Sequence, residues 1–369
     1  MSKEWFNKQS FKAKPKKIEN IYNKLNENFK EEIIMKNNKN ILTVAIDAGK
    51  GYTKWAYEVE VCGVNREGQP VTKKKWKTGI EESTVIKGEA DFGNTIYITT
   101  EGKEVAYNFN GKNKIVENKD KTKNNDEHKA LMQRALYKIA LEEKVTDFEV
   151  IMCISLDQFK SQENVDKMQE NMFVKEFTIK EEETEITINI HNLVIEPETL
   201  VSTRFAKTPI KDSNIVLCDI GTLNVGIIPL AKGKLMREDI TAPRVGYDYM
   251  INEFKEFSDT AGLDYKKEIL EIFVDEHQNT GHKLDEVFKK FFKEEYAPLL
   301  KKEIDSKGFG EFSKIVFLGG TASKCKTLLE ENFDEYLGTE VITDIFATVK
   351  GAYKKGLKDL EKMKETVLV

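Results

Sequence analysis

Residues 41–54 read ILTVAIDAGKGYTK. The first seven residues are almost all apolar, which is typical of a strand that is buried on both faces of a sheet. Asp47 ends this run, and the glycines that follow it predict a tight turn. Residues 53–61 then form the second strand of a hairpin. We therefore expect a buried hairpin with an aspartate at the end of its first strand.

The turn of this hairpin has the composition of an anion-binding loop. Successive N–H groups can surround phosphate oxygens there, because no Cβ obstructs the backbone at Gly49 or Gly51. Lys50 or Lys54 would add positive charge, and Asp47 could hold Mg²⁺ directly or through water. The loop matches neither the Walker A pattern nor the dinucleotide-binding pattern. A tight hairpin with surface lysines is the alternative interpretation.

The second half of the chain repeats this pattern. Residues 215–230 read IVLCDIGTLNVGIIPL, in which Asp219 and a glycine again separate two buried strands. Asp219 could face the same metal ion from the other half, and Thr222 and Asn224 offer short polar side chains to phosphate oxygens. Two such motifs indicate a duplicated domain with a cleft between its halves.

A third motif, LGGTASK, occupies residues 318–324. The paired glycines Gly319 and Gly320, at a strand–helix junction, would admit a flat ligand against the backbone. Thr321 or Ser323 can cap the helix that follows. An ordinary capped glycine turn is the alternative interpretation.

A fourth motif is the EPET stretch at residues 196–199. Glu198 is predicted at the start of a helix, where its carboxylate could orient a water molecule for attack on a γ-phosphate. An acidic residue at this position also complements the helix dipole without any catalytic role.

Composition excludes several classes of protein. The 369 residues include 58 basic and 63 acidic ones, for a net charge of −5, and 40% are hydrophobic. These values exclude a mostly disordered chain and argue against a surface built wholly for nucleic acid. No apolar run reaches the roughly 18 residues of a membrane span. Four scattered cysteines predict neither disulfides nor a zinc site, so the expected compartment is the cytoplasm.

The first 40 residues differ from the rest. Residues 1–17 carry six lysines and one glutamate, and residues 18–35 have the apolar spacing of an amphipathic helix. This segment could dock on its own domain, on a neighbouring subunit or on nucleic acid. Translation from Met35 would instead make it an artefact.

In sequence order, five motifs resemble the phosphate-1, connect-1, phosphate-2, adenosine and connect-2 motifs of the actin superfamily. They are IDAGKGYTK, IEPETL, CDIGTLN, FLGGTASK and DIFATVKGAYKKG. The chain is most similar to the ParM and Alp group of bacterial actin-like filament ATPases, over residues 41–360. This resemblance implies an α/β fold of duplicated actin-like (ribonuclease H-like) domains that flank a nucleotide cleft.

The implied domain organisation has four parts. These are the tail and amphipathic helix at 1–40, domain I at 41–200 with a small peripheral subdomain at about 62–125, domain II at 201–345, and a C-terminal helix at 346–369 that returns to domain I.

The motifs and the resemblance together predict the site residues. Glu198 and Asp219 are the expected catalytic residues, and Asp47 and Asp219 the expected metal-facing ones. The expected nucleotide- and phosphate-binding residues are Gly49, Lys50, Gly51, Thr53, Lys54, Gly221, Thr222, Asn224, Gly319, Gly320 and Thr321. The implied cofactors are Mg²⁺ and ATP, with GTP as the other candidate nucleotide. Ala347 and Gly351 would let the second connecting helix cross closely near the hinge.

The function implied by the resemblance is a filament-forming NTPase that segregates plasmid DNA. The expected partners are other copies of the chain and a ParR-like DNA-binding adaptor. No membrane partner is expected, and nucleic acid would contact at most the N-terminal tail. The alternatives are a small-molecule kinase of the same superfamily, for which no extra catalytic acid is evident, and an MreB- or FtsA-like cytoskeletal protein.

Overall fold

The structure is a computed structural model that describes residues 41–64, 69–88, 95–109, 123–278, 281–306, 308 and 313–367. The predicted tail and amphipathic helix of residues 1–40 lie outside this part of the chain. The described residues fall into two compact units. One contains residues 58–64 and 69–75, which are parts of two strands with an ion pair between Lys74 and Glu58. The other contains the remaining described residues.

A large mixed sheet is built from the first half of the chain. Its strands are β1 (Ile41–Ala48), β2 (Tyr52–Val64), β3 (Pro70–Glu82), β4 (Ile86–Lys87), β5 (Thr95–Thr100), β6 (Lys103–Asn108), β7 (Asp147–Ile154), β8 (Glu176–Glu181) and β9 (Thr184–Pro197). Among the described residues their spatial order is β3-β2-β1-β7-β9-β8-β5-β6-β4. The central strands β1, β7 and β9 run parallel, and β7 is buried along almost its whole length because its residues are nearly all apolar.

A smaller sheet is built from the second half. Its strands are β10 (Ile215–Ile220), β11 (Val225–Ala231), β12 (Lys234–Leu235), β13 (Lys314–Leu318) and β14 (Thr339–Val341). Their spatial order in the described chain is β12-β11-β10-β13-β14.

The two sheets share one local arrangement. In the large sheet, β1 forms an antiparallel hairpin with β2 and a parallel pair with β7. In the small sheet, β10 forms an antiparallel hairpin with β11 and a parallel pair with β13. Asp47 and Asp219 occupy corresponding places near the ends of β1 and β10. The predicted α/β class and the repeated strand–aspartate–strand pattern are confirmed.

Helices cover the sheets and connect their strands. They are α1 (Asp126–Glu143), α2 (Leu156–Phe159), α3 (Gln162–Met172), α4 (Tyr247–Thr260), α5 (Lys267–Ile272), α6 (Lys283–Phe291), α7 (Ala297–Asp305), α8 (Gly320–Lys324), α9 (Lys326–Asn332) and α10 (Ala347–Val367). Short 3₁₀ helices occupy Leu200–Phe205 and Arg237–Asp239, and π-helical turns occupy Phe273–His277 and Phe292–Tyr296. None of the helices in the described ranges has both the length and the apolar character that crossing a membrane requires.

The core beside the small sheet is aromatic. Phe254 of α4 packs against Phe288 and Phe291 of α6, with ring centroids 4.8 and 5.5 Å apart. A second apolar cluster joins Leu156, which follows β7, to strands of the small sheet and to Ala347 at the start of α10. Since these side chains are nearly inaccessible to water, their burial is a main contribution to the free energy of folding.

The region at residues 62–125 contributes more regular structure than its polar composition suggests. Its described strands β3 to β6 belong to the large sheet, at the two ends of the strand order. Edge positions tolerate exposed lysines, because such residues discourage pairing with another chain. This explains why a polar, lysine-rich sequence can still form strands.

Candidate active site

A cleft of about 720 Å³ is lined by loops from both sheets. Asp47 comes from the end of β1, Glu198 follows β9, Asp219 lies in β10, and Gly319 follows β13. Ligands of open α/β sheets bind at the carboxyl ends of the strands, so the cleft has the usual position of such a site.

Most of the predicted site residues line this cleft. They are Asp47, Gly49, Lys50, Gly51, Lys54, Glu198, Asp219, Gly221, Thr222, Asn224, Gly319, Gly320 and Thr321. Thr53 is the exception: its side chain is buried, and its hydroxyl lies 2.9 Å from the hydroxyl of Ser83. The structure therefore brings four separate motifs together. The Thr53 side chain supports the first loop from behind, through Ser83, and does not line the cleft.

The first loop is held by backbone hydrogen bonds. The Gly49 N–H donates to the Tyr52 carbonyl at 3.1 Å, and the Ser83 N–H donates to the Gly51 carbonyl at 3.0 Å. A Cβ at Gly51 would overlap the hydroxyl oxygen of Thr222 in the second loop. The two loops thus approach so closely that only glycine fits at position 51 without a shift of the neighbouring loop.

The second loop is braced by the start of α4. The N–H of Tyr247 donates to the Gly221 carbonyl, and the N–H of Asp248 donates to the Thr222 carbonyl, both at 2.9 Å. A side chain at Gly246 would collide with the backbone of this loop. Because these contacts fix the loop backbone, its shape is set before any ligand arrives.

The third loop passes close to the second aspartate. Gly319 has φ +96°, and a Cβ there would lie 2.6 Å from Asp219 Oδ1 and 2.6 Å from the Ile220 carbonyl oxygen. Both facts require glycine. The prediction that Thr321 or Ser323 caps this helix is wrong. Both residues lie inside α8, whose N-cap is Gly319, and the Ser323 hydroxyl donates to the Thr343 carbonyl at 3.3 Å.

Glu198 does not stand in the first turn of an α-helix. It follows β9 directly, and Thr199, with φ +62°, turns the chain into the 3₁₀ helix. The Glu198 N–H donates to the Ile154 carbonyl at 2.8 Å, and the Thr199 hydroxyl donates to Asp219 Oδ2, also at 2.8 Å. This strained turn aims the Glu198 carboxylate into the cleft and links it to the second aspartate.

Lys123 joins the carboxylates of the cleft. Its ammonium nitrogen lies 2.6 Å from Asp47 Oδ1 and 2.5 Å from Glu198 Oε2, and only 6% of the residue is exposed. Sequence reasoning missed this residue. It follows a lysine- and asparagine-rich stretch, and no local pattern distinguishes it from its neighbours. Only the folded structure, which places Asp47 and Glu198 beside Lys123, distinguishes this lysine from the others.

Burial dominates the electrostatics of the cleft. It raises the pKa of Glu198, an effect that Asp47 reinforces and Lys123 opposes. It also raises the pKa of Asp219, against the hydrogen bond from Thr199 and the charge of Lys54. Burial would by itself lower the pKa of the Lys123 ammonium, but Asp47 and Glu198 raise it above its usual value. Lys123 is therefore a fixed positive charge.

His128 lies close enough to Lys123 for this positive charge to lower its pKa. It is buried at the start of α1, and its Nδ1 lies 2.7 Å from Asn125 Oδ1. Burial, followed by Lys123 and Lys50, lowers its pKa to about 3. His128 is therefore neutral at physiological pH.

The donor set of the cleft fits a magnesium ion. Asp47, Glu198 and Asp219 offer three carboxylates, and the charge of Asp47 helps to raise the pKa of both Glu198 and Asp219, so a divalent cation would relieve this repulsion. The described residues contain no cluster of three ligating side chains that could hold a metal alone. Magnesium commonly binds through one or two carboxylates, substrate phosphates and water, and Asp47 and Asp219 would supply those carboxylates.

The far side of the cleft has a mixed aromatic and charged lining. The Lys324 ammonium lies 4.8 Å from the centroid of the Tyr247 ring and 2.5 Å from Asp275 Oδ1. The Tyr247 hydroxyl donates to the same carboxylate oxygen at 2.8 Å. Together with the glycines after β13, this wall can accept a flat ring. Of these residues, sequence reasoning identified only the glycines.

Comparison with known proteins gives one family match. Residues 45–200 match the family described as actin like proteins N terminal domain. No protein with a curated description matches the sequence significantly.

Solved structures match over most of the chain. A pCBH ParM non-polymerisable quadruple mutant is 19% identical, with a TM-score of 0.56, and the match covers 86% of this chain and 100% of the other. The Alp12 filament structure is 18% identical, with a TM-score of 0.57 and coverage of 87% and 100%. Bacillus thuringiensis ParM with ATP is 13% identical, with a TM-score of 0.60 and coverage of 88% and 100%. Residues 45–200 therefore resemble the N-terminal domain of actin like proteins, and the chain has the actin-like fold of these ParM and Alp12 structures.

Proposed function

We propose that this chain is an actin-like NTPase that hydrolyses ATP or GTP with Mg²⁺ and forms filaments. A single observation carries the proposal. Two glycine loops, each following a strand with an aspartate near its end, meet closely enough for Gly51 to touch Thr222, and both line the same cleft as Glu198. This arrangement offers two phosphate-binding loops and a carboxylate on one cleft.

We assign to Glu198 the role of orienting the water molecule that attacks the terminal phosphate. Its side chain is 24% exposed, and partial burial raises the pKa of the carboxyl group, which brings it towards the range of a general base. Accepting a hydrogen bond from water would orient the water oxygen towards the terminal phosphorus of the nucleotide. In this step the water oxygen–phosphorus bond forms, the bond to the diphosphate leaving group breaks, and the proton passes to Glu198 or phosphate.

The loops bind and orient the phosphates. The N–H groups of Gly49 and Gly221 hold their own loops in shape. Other backbone N–H groups of the two loops would donate to phosphate oxygens, with Lys54 adding charge from the first loop. Magnesium, when bound, would neutralise phosphate charge that develops during the reaction. Asp219 keeps its orientation through the Thr199 hydroxyl and the close approach of Gly319.

Polymerisation would follow from the cleft. A nucleotide that contacts both sheets can favour one closed arrangement, and closure can complete a head-to-tail contact surface. Such a contact does not close on itself, so it generates a filament. Hydrolysis would then weaken the contact. Alp12 has been determined as a filament, which supports this part of the proposal. The cargo we propose is plasmid DNA, held through a ParR-like adaptor in the cytoplasm.

The test is light scattering of purified protein at micromolar concentration with Mg²⁺ and either ATP or GTP, followed by electron microscopy. A nucleotide-dependent rise with filaments on the grid is expected, and it identifies the base that is used. Hydrolysis without a rise, accelerated by sugars or other hydroxyl compounds, would replace the proposal with a small-molecule kinase.

Glu198→Gln tests the assigned chemistry. The amide keeps the size of the side chain but cannot take up a proton, so kcat should fall by about 10²- to 10⁴-fold. Filaments should still form, and they should shrink more slowly because hydrolysis is what weakens their contacts. Glu183→Gln, in the exposed turn between β8 and β9, is the matched control and should hydrolyse at the normal rate. Normal hydrolysis by Glu198→Gln would remove Glu198 from the mechanism.

A further inference from the structure

We propose that Lys123 is a catalytic residue of this cleft, whose ammonium group contacts the terminal phosphate of a bound nucleoside triphosphate. The inference rests on the proposed NTPase function. It adds a residue that none of the motifs contains, and it assigns that residue to one phosphate rather than to the nucleotide as a whole.

The position of Lys123 is fixed at both ends of the residue. Its backbone N–H donates to Gln158 Oε1 at 3.0 Å, and the same oxygen accepts the Ser155 hydroxyl, also at 3.0 Å. The ammonium group is held by Asp47 and Glu198, and the side chain is 8% exposed. A surface lysine has neither anchor, so this side chain is ordered before a ligand binds.

The ammonium group of Lys123 has one further hydrogen that it can donate to a ligand in the cleft. A lysine ammonium has three hydrogens, and two of them serve Asp47 Oδ1 and Glu198 Oε2. Lys123 also lines the cleft. The third hydrogen is therefore available to a ligand oxygen.

The contact with Glu198 identifies which phosphate this would be. In the proposed reaction, Glu198 holds the water that attacks the terminal phosphorus, so the terminal phosphate lies one water molecule away from its carboxylate. An ammonium 2.5 Å from Glu198 Oε2 lies on that same side of the cleft. In the proposed site, the glycine loops around Gly51 and Gly221, which also line the cleft, would bind the inner phosphates.

Charge balance supports the assignment. Asp47, Glu198 and Asp219 would otherwise present three partly buried carboxylates to a triphosphate. Lys123 neutralises part of this charge and can stabilise the charge that develops on the transferring phosphoryl group. Lysine is a common phosphate ligand as a point charge.

The competing explanation is a purely structural ion pair that ties the end of β1 to the turn after β9. It predicts that removal of Lys123 lowers stability and weakens triphosphate and diphosphate binding equally. A catalytic contact predicts a selective loss for the triphosphate.

The experiment compares Lys123→Gln with the wild type in Mg²⁺. The dissociation constants of a non-hydrolysable ATP or GTP analogue and of the matching diphosphate are measured by calorimetry, together with kcat. We expect kcat to fall about 100-fold or more and the triphosphate analogue to bind about tenfold more weakly. Diphosphate affinity should stay within about twofold. Equal weakening of both ligands, or an unchanged kcat, would overturn the assignment.

Lys355→Gln is the matched control. Lys355 also joins two carboxylates, with its nitrogen 3.2 Å from Glu196 Oε1 and 2.5 Å from Asp359 Oδ2, but it lies outside the cleft lining. Its replacement should leave kcat and both dissociation constants unchanged. A similar loss in this variant would show that a bridging lysine acts through stability alone.

Lys123→Arg decides the question if Lys123→Gln unfolds below the assay temperature. The guanidinium keeps the charge and the ion pairs but cannot place a compact donor at the same point. We expect unchanged diphosphate affinity and a kcat that falls about tenfold. Unchanged kcat and triphosphate affinity would contradict a specific phosphate contact. If the wild type itself neither binds nor hydrolyses a nucleotide, the proposed function fails first, which is a distinguishable result.

Discussion

At the scale of single residues, the cleft depends on glycines that allow loops to touch. Gly51 faces the Thr222 hydroxyl, and Gly319 faces the Asp219 carboxylate. In each case the neighbour belongs to a different motif of the sequence. A methyl group at either place would separate loops that must act on the same phosphates.

Gly51→Ala should weaken nucleotide binding. The added methyl group overlaps Thr222, and an overpacked contact of this kind costs about 1–3 kcal/mol. The dissociation constant should rise roughly ten- to hundredfold, as measured by calorimetry. Gly63→Ala is the control, since nothing lies within 4 Å of a Cβ there. Equal affinities for the two variants would show that the loops need not touch.

Asp219→Ala should separate binding from hydrolysis. The loops and Lys54 remain in place, so nucleotide binding should persist, whereas the lost carboxylate removes one of the two expected metal-facing groups. We expect kcat to fall about 10²- to 10³-fold in a phosphate-release assay. Asp212→Ala, at an exposed site, should behave as wild type. Normal turnover by Asp219→Ala would refute the assigned role.

At the scale of elements, α10 packs closely against the 3₁₀ helix at Leu200–Phe205 and against β7 of the large sheet. A Cβ at Gly351 would collide with the backbone carbonyl of Val201 in the 3₁₀ helix, and Gly356 lies against Ile151 of β7. The Ser202 and Thr348 hydroxyls lie 2.9 Å apart. The predicted close crossing of the connecting helix is therefore present at Gly351.

Gly351→Ala should destabilise the protein, although alanine favours a helix over glycine by about 1 kcal/mol. The collision with Val201 is with backbone, which cannot rotate away, so a net loss of about 1–3 kcal/mol is expected. Urea unfolding would measure it. Lys358→Ala, on the same helix, should change stability by less than about 0.5 kcal/mol. A more stable Gly351→Ala variant would contradict the close crossing.

A second element-scale prediction concerns Glu196 of β9, which is 1% exposed and faces Lys355 and Asp359 of α10. Burial raises the pKa of Glu196 to about 7, and Lys355 only partly opposes this effect. Because the folded-state pKa lies above the ordinary value of 4.5, the stabilising contribution is complete below pH 4.5 and disappears as the pH rises through 7.

Stability should therefore fall between pH 5.5 and pH 8, by about 2 kcal/mol from this group. In Glu196→Gln this part of the pH dependence should be absent, because the amide is never charged. Urea unfolding at both pH values provides the comparison. An equally steep decline in Glu196→Gln would assign the pH dependence to another group.

At the scale of the whole molecule, both sheets and the cleft lining that the structure describes are built from residues 41 onward. A nucleotide that contacts loops from both sheets should stabilise them together. At a ligand concentration of 100 times Kd, the gain would be about 2.7 kcal/mol.

Removal of residues 1–40 should leave this effect intact. The truncated protein should show the same nucleotide-dependent rise in Tm as the full chain, while filament bundling, seen by electron microscopy, is free to change. If truncation abolishes nucleotide binding, residues 1–40 belong to the nucleotide-binding domain, and the boundary at residue 41 is wrong.

Local chemistry was enough to predict the α/β class and the position of the glycine loops. Apolar runs such as residues 41–47 and 215–220 specify buried strands, because a strand covered on both faces has no polar alternative. Aspartate followed by glycine specifies the turn that ends each strand, because the backbone needs that freedom locally. The repetition of the aspartate–glycine motif already indicated that Asp47 and Asp219 face one cleft, whereas the adjacency of the other motifs was predictable only as a consequence of the resemblance.

The partners of the carboxylates were decided by tertiary structure. Lys123 is separated from Asp47 and Glu198 by about 75 residues in each direction, and several other lysines precede it within a few residues. The pairing exists because parallel strands β1, β7 and β9 end at the same edge, which fixes the two carboxylates and the Gln158 anchor around one point. Electrostatic partners of this kind depend on distances in space, and a pattern in one dimension contains no such distances.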